Sequence, residues 1–117
     1  MAMQPSDFAG ALPVDGYGPG FFRVGEQVHR GPVLVTGGAV RPWGGLDDIA
    51  ALVALGGSVD VLFLGMGAEI AHAPAALVAA LDDAGVMIEA MASPTAARAY
   101  NVTLSEGRRV ACALLPL

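Results

Sequence analysis

The chain contains no lysine. Six arginines face eleven acidic residues, which gives a formal net charge of −5. A general nucleic-acid binder needs a basic face, and this composition does not supply one. The missing lysine also excludes a phosphate loop of the Walker type. With a single cysteine, Cys112, there is no intrachain disulfide framework and no multi-cysteine metal site. His29 and His72 are the only histidines, and neither belongs to an H-x-x-x-H or C-x-x-C pattern, so no metal is expected. Charged residues make up only 15% and hydrophobic residues 55%, which excludes disorder as the general state. Long apolar runs are missing as well. VDVLFLGMGA and the stretch 73–81 are too short for a membrane span, which needs about 18 apolar residues. The opening MAMQPSDFAGALPVDG has neither the positive start nor the apolar stretch of a secretory signal. The expectation is a soluble cytoplasmic protein with no transmembrane segment; peripheral membrane association is compatible with it. A mean hydropathy of +0.60 is high for so small a domain, and it implies a very complete core or an apolar surface that a partner covers.

What is present reads as one domain, because 117 residues are too few for two ordinary ones. Residues 1–13, with two prolines and little pattern, are expected as a loosely held arm, and 14–117 as a single α/β domain. Gly16-Tyr17-Gly18-Pro19-Gly20 is a dense turn signal. Phe21–Val24 and Val28–Arg30 flank Gly25-Glu26-Gln27 and read as a hairpin. Pro32–Thr36 is a third β-prone run, and 40–45 reads as a loop around Pro42 and Trp43. Leu46–Leu55 has helical spacing, with Asp47 and Asp48 in its first turn. Val59–Leu64 is almost wholly apolar, as a strand buried on both faces should be. A helix follows from Pro74 to Gly85, a strand over Val86–Met91, a helix from Ser93 to about Glu106, and a last strand over Arg109–Leu115. Helices alternating with strands predict a three-layer α/β/α domain with a central mixed sheet, plus an N-terminal hairpin.

Two groups of residues are candidates for function. The first would bind a small anionic ligand. Gly65-Met66-Gly67 follows a buried strand, where α/β sheets place ligand loops. It fails the G-x-G-x-x-G pattern at Ile70, and a tight strand-to-loop turn is the simpler reading. Ser93, Arg98 and Asn101 lie on the third helix, 93–106; Ser93 reads most simply as its N-cap, and Arg98 and Asn101 share a face that could hold an anion or a partner carboxylate, with ordinary surface polar contacts as the simpler reading. His72, near this loop, is a candidate acid or base. No spacing supports a nucleophile with its base, and no catalytic residue or cofactor is assigned. The second group would bind a partner protein: Phe21, Phe22, Trp43 and Tyr100. For Trp43 a lid over the domain's own core is the competing reading. Cys112, in an apolar strand, is expected to be buried and inert. A homo-oligomer stays open, because a sheet edge must be covered or blunted.

Several stretches carry a resemblance. DGYGPGFFRV (15–24), Arg41-Pro42-Trp43, VLFLGMGAE (61–69), VMIEAM (86–91), AARAYNV (96–102) and EGRRVA (106–111) occur in order over nearly the whole chain. They resemble the small Mth938-like domain family, which includes a mitochondrial respiratory complex I assembly factor. The resemblance implies a three-layer α/β/α domain, no known enzymatic activity and no established cofactor. It also implies a role in assembling respiratory complex I through a partner assembly factor, while bacterial members are mostly unassigned. Met66 stands where the family has threonine, and Ala97 and Ala99 where it has cysteine and threonine. Those losses favour a non-enzymatic interaction or assembly-helper domain over an enzyme.

Overall fold

The computed structural model describes residues 11–117; most of the expected arm, residues 1–10, lies outside the described residues. The chain runs β1 (Val14–Gly18), β2 (Phe21–Val24), β3 (Gln27–Arg30), β4 (Val33–Val35), β5 (Val40–Pro42), α1 (Ile49–Val53), β6 (Val61–Gly65), α2 (Ala75–Asp83), β7 (Met87–Met91), α3 (Ser93–Ser105) and β8 (Val110–Leu114). A five-stranded sheet has the order β5-β4-β8-β6-β7, and a separate antiparallel sheet has the order β1-β2-β3. In the large sheet β6 runs parallel to both β7 and β8, while β4 is antiparallel to β5 and β8. The sheet is mixed, as expected.

The apolar runs of β6, β8 and β4 follow from a core on each side of this sheet. Side chains alternate along a strand. Val61 and Phe63 of β6, Val110, Cys112 and Leu114 of β8, and Val33 and Val35 of β4 enter one core, with Phe22, Ala97 and Tyr100. Leu62, Leu64, Ala111, Ala113 and Leu34 enter the other, with Leu52, Leu77 and Leu81 of α1 and α2. Thus α3 and the small sheet cover one face, and α1 and α2 the other. This is the three-layer arrangement.

Several local expectations change. The stretch 14–18 is a strand and not only a turn: the Phe21 ring lies where a Cβ on Gly18 would be, at 2.4 Å, so a cross-strand aromatic supplies the packing that the glycine lacks. The β2–β3 connection is Gly25-Glu26, with φ of +56° and +72°, the left-handed pair that a tight two-residue hairpin turn requires. Asp15 braces that turn by accepting from the Glu26 N–H at 2.9 Å and pairing with Arg23 at 2.8 Å. Val40–Pro42 is a short edge strand, which tolerates proline because its outer N–H has no partner to lose. Helix α1 is shorter than expected because Asp48 is its N-cap: the carboxylate accepts from the N–H groups of Ala51 and Gly44. Residues 11–13 are docked. The Leu12 carbonyl accepts from the Tyr100 hydroxyl at 2.8 Å, and the Pro13 carbonyl from the Gly25 N–H.

Candidate functional site

The Gly65–Gly67 loop meets the start of α3 at the end of the parallel strands, but Ser93 fills the space between them. Ser93 is fully buried. Its Oγ accepts from the Gly67 N–H at 2.9 Å and donates to the Leu115 carbonyl at 2.6 Å, and its own N–H donates to the Gly67 carbonyl. The N-cap of α3 is Ala92, so Ser93 is a bridge between loop, helix and C-terminal strand and not the expected cap. Met66 is half-buried against the α2-side core, and its N–H donates to Met91. Gly65 and Gly67 are buried, and Gly67 takes a φ of +95° that a side chain would strain. The expected ligand cleft at Gly65, Met66, Gly67 and Ser93 is therefore a packed joint. Both functions of the Ser93 hydroxyl are used within the joint. Ser93→Ala should cost about 2 kcal/mol by orphaning two buried backbone groups, a fall in Tm of roughly 10 °C. Urea unfolding should show this as a lower midpoint at an unchanged slope.

Arg98 and Asn101 do not converge on an anion site. The Asn101 side-chain amide donates to the Val14 carbonyl at 2.7 Å and accepts from the Val14 N–H at 2.9 Å. It acts as a neighbouring strand would at Val14, the first residue of β1. Arg98 is exposed and reaches only the Thr95 hydroxyl, at 3.5 Å. Both line a surface depression of about 220 Å³, which also presents Asp15. That carboxylate opposes an anionic ligand.

The aromatic candidates for a partner surface face inward, and this corrects the expectation at three of four positions. Phe22 and Tyr100 have no exposed surface, and Trp43 is buried, with its indole N–H donating to the Asp48 carbonyl at 3.3 Å. Strand alternation turns Phe22 into the core and leaves Phe21, half-buried, over Gly18. The Tyr100 hydroxyl donates to Leu12 and accepts from the Gly37 N–H at 3.0 Å, tying the β4–β5 turn and the start of β1 to α3.

Phe21 borders a depression of about 330 Å³ with the exposed Tyr17 and Val28, but the larger exposed apolar surface lies between β7 and α2. Two adjoining depressions of about 510 and 520 Å³ share Val78 and Ile88. Ile70 (76% exposed) and His72 line the first, and Met87 (64%) and Asp82 the second. His72, the acid–base candidate of the sequence, lies at this surface. Nothing in the sequence marks Ile70 or Met87 as a surface residue: Ile70 is a single apolar residue between Glu69 and Ala71, and Met87 is hidden in the apolar run Val86-Met87-Ile88. The topology brings them to one side.

Cys112 is buried, and burial pushes its thiol well above the ordinary value. His29 sits on the inner side of β3 with its Nε2 buried and without a hydrogen-bond partner among the described residues. Among the described residues no group of three or more His, Cys, Asp or Glu could hold a metal ion. No described helix is long and apolar enough to cross a membrane.

Fold and surface together define a small α/β domain whose loop polar groups are spent on internal joints and whose apolar trough is open. The chain belongs to the family described as protein of unknown function (DUF498/DUF598), whose model matches residues 14–115. It is 59% identical to an uncharacterised protein of Rhodobacter capsulatus over 100% of this chain and 94% of that one. It is 27% identical to NADH dehydrogenase [ubiquinone] 1 alpha subcomplex assembly factor 3 of Danio rerio, over 97% of this chain and 69% of that protein. The solution structure of a Mth938-like domain from Bordetella pertussis superposes with a TM-score of 0.77 at 25% identity, covering 99% of this chain and 90% of that one. The resemblance drawn from the sequence motifs and the Mth938-like fold both hold.

Proposed function

We propose that this chain is a non-enzymatic interaction domain that helps assemble a respiratory complex from the cytoplasmic side, docking through the β7–α2 trough. The observation that carries this reading is the exposed apolar surface of Ile70, Val78 and Met87 around the two depressions. Monomeric proteins rarely leave large contiguous apolar patches open unless a partner covers them. The similarity to a complex I assembly factor supplies the class of client. An anionic-ligand site is the weaker reading, because the Gly65–Gly67 joint is packed and the Arg98 depression carries Asp15.

Tagged full-length protein, purified from membrane and soluble fractions separately, should retain a respiratory-complex subunit or assembly factor in stoichiometric amount. The double variant Ile70→Asp/Met87→Asp should lose that partner by at least about tenfold, a cost of 1.4 kcal/mol or more. Its Tm should stay within a few degrees of wild type, since both side chains are exposed. Capture that survives the double substitution overturns the reading.

A further inference from the structure

Each sheet has two outer strands, and three of the four are closed or blunted. Asn101 caps β1 at its first residue, Val14. Strand β5 is three residues long and carries Arg41 and Pro42. Strand β3 is polar and charged, with Gln27, His29 and Arg30. These are ordinary protections against unwanted pairing. Strand β7 has none beyond a single acid: Met87-Ile88-Glu89-Ala90-Met91 is five residues long, lacks proline and is largely apolar.

Its hydrogen-bonding direction follows from the ladder. The Met87 N–H donates to the Asp60 carbonyl, and the Met91 carbonyl accepts from the Met66 N–H. Alternate residues of a parallel strand bond to the same neighbour, so Met87, Glu89 and Met91 turn their main-chain groups to β6. The N–H and C=O of Ile88 and Ala90 turn outward, beside the trough that their own side chains line. The formal charges bordering this edge are acidic: Asp82 lines the trough, Glu89 is exposed in mid-strand, and Glu69 is exposed beside Ile70. No arginine lines either depression.

We propose that the open edge of β7 binds an extended, apolar segment of a partner protein that carries lysine or arginine, adding it as a sixth strand to the large sheet. Main-chain pairing at Ile88 and Ala90 supplies the affinity. The trough takes alternate apolar side chains, and the acidic border selects the basic residues. A second copy of this chain fits poorly, because two-fold pairing about the middle of β7 sets Glu89 opposite Glu89. This inference rests on the docking surface proposed above and names its occupant.

The probe is a seven-residue peptide alternating valine and lysine, at ~1 mM, added to the ¹⁵N-labelled full chain. Amide exchange at Ile88 and Ala90 should slow by about tenfold or more, with little change at Val28 on β3. A valine–glutamate peptide should bind at least about tenfold more weakly, and Glu89→Lys should reverse the order of the two. A peptide with proline at its central position should lose the protection, because it lacks a ladder donor. Unprotected Ile88 and Ala90 amides with the lysine peptide overturn the proposal. So does a charge preference that Glu89→Lys leaves unchanged, or a dimer that protects β7 without peptide. If these tests fail while Ile70→Asp/Met87→Asp still releases the captured subunit, the docking surface stands and only strand addition falls. If the double variant releases nothing, the surface itself is wrong.

Discussion

Tyr100→Ala should remove about 4–5 kcal/mol of stability, enough to leave much of the protein unfolded at 37 °C. The ring is a large, fully buried side chain, in the α3-side core with Phe22, Val24 and Val35. Its loss opens a cavity and also orphans the Leu12 carbonyl and the Gly37 N–H. Tyr100→Phe keeps the ring and loses only the two hydrogen bonds, so it should cost about 1–2 kcal/mol. Circular dichroism melts of the two variants separate packing from hydrogen bonding. The same residue sets an alkaline limit. Burial pushes the Tyr100 hydroxyl far above its ordinary 10.0, with Cys112 nearby adding to the rise, and burial pushes the Cys112 thiol above its ordinary 9.0. Both groups have a raised folded-state pKa. Their contribution is therefore complete below about pH 9 and declines as pH rises, because the unfolded chain releases protons that the folded one holds. Tm should fall from about pH 9 upward in the wild type. In Tyr100→Phe the decline should start at the same pH, through Cys112, but be shallower above pH 10.

The sequence made the buried strands of the large sheet legible because both faces of that sheet are covered. Val61–Gly65 and Val110–Leu114 have no polar face to disguise them, and the continuous runs follow directly. Helices α2 and α3 were legible from period and from the proline at each start. Strands β1 and β5 were not, for opposite reasons. β1 contains Gly16 and Gly18, whose packing is supplied by Arg23 and Phe21 across the hairpin. β5 ends in a proline that reads as a break unless the strand is known to be an edge.

The site was harder still. Ser93 before Pro94 has the form of a helix cap, and only the tertiary fold shows its hydroxyl spanning Gly67 and Leu115. Asn101 and Arg98 share a helical face, but Asn101 is consumed by the backbone of a strand 87 residues away in sequence. Tryptophan, tyrosine and phenylalanine serve cores and interfaces alike, so residue type could not orient Phe22, Trp43 or Tyr100. The exposed trough assembles from α2, β7 and the loop holding Ile70, segments that carry no shared motif. Its visibility depends on which strand ends the sheet. The distinctive Ala-Tyr-Asn stretch of α3 thus has a structural explanation: Tyr100 and Asn101 fasten the start of β1 and the β4–β5 turn to α3.

Gly65→Ala should lower stability by about 3 kcal/mol, although the substitution adds one methyl group. Gly65 ends β6, where its φ is not in the left-handed region, so the cost is steric and not conformational. A Cβ there would lie 2.5 Å from Ser93 Oγ, 2.8 Å from Ser93 Cα and 2.8 Å from Leu114 Cδ2. Leu114 and the hydroxyl can shift by rotation, but the Cα belongs to the first turn of α3 and moves only with the helix. Retreat of α3 would pull Ser93 from Gly67 and Leu115, and with it the joint that closes this end of the sheet. Gly38→Ala is the control: no heavy atom lies within 4 Å of the added Cβ and its φ is not in the left-handed region, so stability should stay within about 0.5 kcal/mol of wild type or rise slightly. A double-mutant cycle gives the sharper test. If the added methyl acts by displacing Ser93, then Gly65→Ala combined with Ser93→Ala should cost at least about 1 kcal/mol less than the sum of the two singles. Equality with the sum would mean that Leu114, and not the Ser93 joint, receives the strain. The unfolding midpoints of the four proteins in urea decide between them, and with them whether the glycine loop serves the fold by keeping α3 close.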